Sequence, residues 1–198
     1  MATIINASTS AGLVQTADTS GNLNLQSNGS TIVAVTSTGA AVTGTLSASG
    51  GIAKASLPTG SVLQVVNATY STQVSSSSST YADTGLTATI TPTSATSKIL
   101  VLFSQSCKKT NGNVGNGVAI KLFRGATDLG QVIYAYLYTN SAVDSYGQAC
   151  TQYLDSPATT SATTYKTQFS NVGGNVASIA VQADGQGVST ITLMEIAA

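Results

Sequence analysis

Three tyrosines, Tyr134, Tyr136 and Tyr138, are the residues whose type and spacing most suggest a binding surface. Successive side chains of a strand point to opposite faces. A strand here therefore puts three phenol rings on one face and Ile133, Ala135 and Leu137 on the other. Two readings follow. In the first, one face fills the core and the tyrosines meet a neighbouring subunit or sheet, where an aromatic body and a polar tip are both useful. In the second, the tyrosines form an exposed platform for a sugar.

Catalytic groups are sparse. The chain has no histidine, which removes the usual general base, the commonest zinc ligand and histidine-activated nucleophiles together. Asp128, Asp144, Asp155, Asp184 and Glu195 could converge as an acid/base pair, but no spacing favours any two, and solvated turn positions are the simpler account. No EF-hand series occurs; a loop calcium site drawing on Asp128 or Asp184 stays open. Asn111 to Gly117 is glycine-rich, yet Val118 to Leu122 after it reads as a strand rather than a phosphate-binding helix, so it is expected to be a loose hairpin or an exposed tip loop. Cys107 and Cys150 are too few for a disulfide framework and are read as buried thiols. No catalytic residue, metal site or cofactor is expected.

Composition narrows the partners. Hydrophobic residues make up 42% and charged residues only 7%, against roughly 25% charged in an average soluble domain, so Ser, Thr, Asn and Gln must form the polar surface. Seven basic and seven acidic residues cancel, and a chain near neutrality resists association only weakly. A nucleic-acid partner needs a cationic face; only Lys108 and Lys109 are adjacent, and they are read as a solvated strand end. No apolar run approaches the roughly 20 residues of a membrane span, and the first residues lack the pattern of a secretion signal.

The elements that must position these residues fall into two regions. In 1–53 the only charged side chain is Asp18, and short apolar pairs recur between Gly, Ser, Thr and Asn. Leu23 and Leu25 alternate with Asn22 and Asn24, Asn28-Gly29 supplies a turn, and Val33 and Val35 resume the alternation. Its aliphatics are too few to offset the entropy of ordering some 50 residues, so this segment is expected to order against other chains. Residues 54–60 read as a hinge. From 61 to 198 come strand signals at 62–66, 86–90, 99–103, 118–123, 131–138, 149–154, 164–169, 177–181 and 190–196, with Ile99 to Phe103 as a buried central strand and Ser75 to Ser79 as an exposed loop. Short strands at regular spacing without helical patterns predict an all-β, jelly-roll-like β-sandwich head after a short β-rich oligomerisation or attachment stem.

The phrases Gly21-Asn22-Leu23-Asn24-Leu25-Gln26-Ser27-Asn28-Gly29 and Val42-Thr43-Gly44-Thr45-Leu46-Ser47-Ala48-Ser49-Gly50 resemble repeats in tailed-bacteriophage fibre and appendage proteins. The distal phrases Thr89 to Val101, Tyr153 to Pro157 and Ile191 to Ile196 resemble the globular head of phage virion proteins. The resemblance implies a homotrimer, a jelly-roll-like head and a place on the virion, assembled in the host cytoplasm, with other virion proteins held through the N-terminal segment. It transfers no functional residue. Conventional tail fibres carry a longer shaft than the 50 or so residues here, so a short tail fibre, a fibre tip, a head fibre and a capsid decoration protein all remain open. The competing reading is a carbohydrate-binding module or receptor-binding tip that uses the tyrosines.

Overall fold

The computed structural model describes residues 22–45, 52–110, 115–173, 178–185 and 187–198. The chain divides between Ile52 and Ala53 into two compact units.

The first unit holds an antiparallel meander, β1 (Leu23–Ser27), β2 (Ser30–Thr36) and β3 (Gly39–Val42), in the order β1-β2-β3. Asn28 and Gly29 join β1 to β2 with φ of 51° and 78°, the left-handed pair that a two-residue hairpin turn needs. Register puts Leu23, Val35 and Ala40 in one row and Leu25, Val33 and Val42 in the next. These two rows form an apolar stripe, continued by the polar pair Gln26 and Thr31, yet Leu23, Leu25 and Val35 stay 44%, 46% and 39% exposed. The apolar pairs Ile4-Ile5 and Leu13-Val14, and Leu46, lie outside the described residues.

Among the described residues the second unit is a sandwich of ten strands. These are β4 (Val62–Tyr70), β5 (Val74–Ser76), β6 (Ala82–Ile90), β7 (Lys98–Lys109), β8 (Asn116–Arg124), β9 (Thr127–Thr139), β10 (Ser145–Asp155), β11 (Thr163–Asn171), β12 (Ile179–Val181) and β13 (Ser189–Ile196). The strand segments expected from 61 to 198 are present, that at 177–181 as Ile179–Val181 with residue 177 outside the described residues. Leaving aside the short β5 and β12, the antiparallel pairs nest: β8 with β9, β7 with β10, β6 with β11, and β4 with β13. The chain thus doubles back once, at the Gly125-Ala126 turn, and the long hairpin rolls up into two sheets, β4-β13-β7-β10 and β6-β11-β8-β9. That is the jelly-roll arrangement, two four-stranded sheets facing across one core.

Period-two alternation builds the core. Leu86, Ala88 and Ile90 of β6 point inward, as do Ile99, Val101 and Phe103 of β7, Val118, Ile120 and Leu122 of β8, Tyr165 and Phe169 of β11, and Ile191 and Leu193 of β13. Thr87 and Thr89 point outward and bond to the neighbouring β11. Beneath the core, Thr84, Gln105, Thr167, Gln182 and Ser189 are buried and tie the sheets together: Thr167 donates to Gln105 at 3.0 Å, Gln105 to Ser189 at 2.8 Å, and the Thr84 and Thr167 hydroxyls meet at 2.6 Å. Burying these polar atoms is tolerated because each has a partner.

Three expectations need correction. Ser75 and Ser76 belong to a strand, since backbone pairing to Ala180 and Ile179 of β12 needs nothing from a side chain. The loop at 111–117 does not close a hairpin: residues 111–114 lie outside the described residues, but β7 and β8 on either side belong to different sheets. Ile99 to Phe103 is a central strand, but its Leu100 and Leu102 point away from the core and are half-buried.

Candidate contact surface

Strand β9 is the edge of its sheet, and its pairing with β8 slips at several points between Asn116 and Phe123. Ala135 and Leu137 take φ of 54° and 61°, a left-handed conformation that costs non-glycine residues on the order of 1–2 kcal/mol. These two residues flank Tyr136 and break the alternation that would have put the three phenols on one face. The single three-tyrosine platform expected above is therefore not formed. Tyr136 turns inward opposite Val118, where it packs against the core. Its hydroxyl donates to the Gln148 carbonyl at 2.9 Å, so it bridges the edges of the two sheets, and burial holds its phenol above the ordinary value. Gly147 of β10 is what admits the ring, since a Cβ there would collide with the Tyr136 hydroxyl.

Tyr134 and Tyr138 do stand together. They are 67% and 50% exposed and line an open hollow of about 510 Å³ with Gly115, Ala135, Val172 and Gly173. Among the described residues its lining has no charged side chain. Two aromatic faces with polar tips over small residues suit a flat, partly apolar ligand such as a sugar ring, or a loop of another protein.

The acidic residues are engaged elsewhere. Asp128 meets Lys121 at 2.6 Å, and Asp184 and Asp144 both meet Lys108, at 3.1 and 3.8 Å. Lys121 holds the Asp128 carboxyl below its ordinary range, and Lys108 does the same for Asp184. Each of these two carboxylates is thus paired with an ammonium. Asp155 is buried and accepts from Arg124 at 2.8 and 2.9 Å and from the Tyr165 hydroxyl at 2.6 Å. Burial first, then the bond to Asp155, keeps the Tyr165 phenol protonated far above its usual range. Glu195 accepts from the Thr93 amide and hydroxyl, both at 2.7 Å, and from Gln64 at 2.6 Å. Burial pushes its carboxyl up, but these donors and Ser97 outweigh that and leave it below the usual value. Among the described residues no three His, Cys, Asp or Glu side chains cluster as metal ligands, and no helix is long and apolar enough to cross a membrane.

Two further readings change. Lys109 is fully buried rather than a solvated strand end, and its ammonium donates to the carbonyls of Ser141 at 2.8 Å and Val143 at 3.3 Å, pinning the β9–β10 connection. The signal was available: counting by two from Ile99 reaches Gln105, Cys107 and Lys109, all on the inward face. Cys107 is buried as expected, but Cys150 is exposed, because it follows the inward Ala149 by one residue.

Neither a family model nor a curated protein sequence matches the chain. Among solved structures, it is similar to the infectious bursal disease virus VP2 subviral particle, at 13% identity and a TM-score of 0.36 over 69% of this chain and 38% of that one. The infectious bursal disease virus Gx strain gives 16% identity and a TM-score of 0.36 over 68% and 37%; the Gt strain gives 15% and 0.33 over 70% and 39%. The chain spans well under half the length of these structures.

Proposed function

We propose that the chain is a non-enzymatic structural protein of a virus particle: it assembles with copies of itself, as a trimer, attaches through the N-terminal segment and displays the jelly-roll head outward as a fibre or decoration. The observation that carries this reading is the β1–β3 meander. Among the described residues, three short strands with an apolar stripe on one face have no second layer of the kind that stable sheets need, so the segment gains its stability from association. A head whose carboxylates are committed to lysines, an arginine and backbone donors fits a role in contact rather than turnover.

Elastase digestion of the full chain tests it, because the stem is rich in the small residues that elastase cleaves. The stem should resist in concentrated, assembled protein and become cleavable on dilution to single chains. Equal cleavage at every concentration would contradict the reading. Tyr134 and Tyr138 beside their hollow favour a second role for the same head, contact with a host-surface glycan.

A further inference from the structure

The outer faces of the two sheets place their charges differently, mid-strand on one and at the strand ends on the other. Outside β6-β11-β8-β9, Lys166 pairs with Asp83 at 2.9 Å and Lys121 with Asp128 at 2.6 Å, and Lys121 also lies 4.8 Å from the Tyr81 ring centre. That face is finished for water. Outside β4-β13-β7-β10, register lays out three rows across four strands: Val65, Met194, Leu100 and Leu154; then Asn67, Thr192, Leu102 and Gln152; then Thr69, Thr190, Ser104 and Cys150. None of these twelve positions is charged, and Val65 and Leu154 are 55% and 52% exposed. The continuous apolar run Ile99 to Phe103 in its central strand is the pattern of a strand covered on both faces, yet within the described residues of this unit only one face lies against a second sheet.

We infer that a neighbouring copy of this chain covers the outer face of β4-β13-β7-β10. Charge selects this occupant: the three rows form an uncharged patch, bounded on β7 by Lys98 at one end and by Lys108 with Asp144 and Asp184 at the other, and such a patch accepts its like, which every copy of the molecule offers. Size permits it. Four strands spaced about 4.8 Å apart and eight residues long at about 3.3 Å each give a flat footprint of roughly 500 Å² that takes in the three rows as its centre and a rim reaching Lys98, and two such footprints reach the roughly 1,000 Å² of a specific interface. The inference rests on the self-assembly proposed above and says which surface of the head takes part.

Cys150 sits in the third row and reports on the face. Cys107 is buried with its thiol pushed up to about 12, so a thiol reagent applied to the native full chain reads Cys150 alone. Cys150 should react at least about tenfold more slowly in the assembled wild type than in Leu154→Lys, because a covering copy must bury the new charge or withdraw. Val65→Lys, in the same row, should act alike, and Thr89→Lys on the opposite sheet should leave Cys150 slow. Both target side chains are half-exposed, so each variant can fold. Light scattering on the same samples separates the two proposals. An assembled mass with a fast Cys150 in the wild type overturns this face alone, a single-chain mass overturns self-assembly as well, and a Cys150 equally slow in wild type and both lysine variants also overturns the face.

Discussion

Asp155→Ala should be among the most damaging single changes in the head. Asp155 joins β10 to Arg124 of β8 and Tyr165 of β11, so it links both sheets. Its removal leaves the Tyr165 hydroxyl buried in a fully enclosed side chain without its acceptor, at about 2 kcal/mol. Arg124 loses its partner too, but its side chain is 27% exposed and can reach water, so its share is about 1 kcal/mol rather than the 3–5 of a fully buried pair. The sum, about 3 kcal/mol, corresponds to roughly 9 °C in the melting temperature of a domain this size. A thermal melt of the full chain measures it. Tyr165→Phe alone should cost about 2 kcal/mol, but almost nothing in the Asp155→Ala background, because the hydroxyl is already stranded there. If the two losses simply add, or if Asp155→Ala costs under about 1 kcal/mol, the reasoning fails.

Glu195→Gln should be felt at neutral pH and much less in acid. A carboxyl held below its ordinary value of 4.5 contributes stability that is present above that value and lost as pH falls through the lowered one; urea midpoints of wild type and variant should therefore converge as the pH is taken progressively below the ordinary value, and a gap that stays constant would contradict this. Tyr136→Phe removes the bond to Gln148 and should cost about 1 kcal/mol, whereas Gly147→Ala, which displaces the ring itself, should cost more, in the range of about 1–3 kcal/mol; paired melts test the order. Tyr134→Ala and Tyr138→Ala should leave the melting temperature within about 2 °C, as exposed positions do, and a glycan array should show any sugar binding abolished in both. Unfolding of either would make these tyrosines structural.

Much of the fold could be read from the chain because alternation is a local signal. Leu86 to Ile90 and Ile191 to Leu193 state their inward faces directly, and Asn28-Gly29 states a turn. What alternation cannot show is partnership. Nothing around Val62 or Thr190 indicates that β4 pairs with β13 at the far end of the chain, and the serines of β5 carry no apolar signal because their strand is made by backbone bonds alone. The tyrosine surface was half legible for a related reason. Residue type pointed to β9, but the left-handed turns at Ala135 and Leu137 are invisible in a sequence that has no glycine at either place, and they move Tyr136 from the platform to the seam. Asp155, Arg124 and Tyr165 are distant in sequence and meet only after the hairpin has rolled up.

Self-assembly is the claim on which the rest depends, and the solution mass of the full chain by light scattering tests it most directly. The account predicts a mass of three chains, each of 19.8 kDa, at the concentrations where the stem resists elastase. A mass of one chain at every concentration would contradict it.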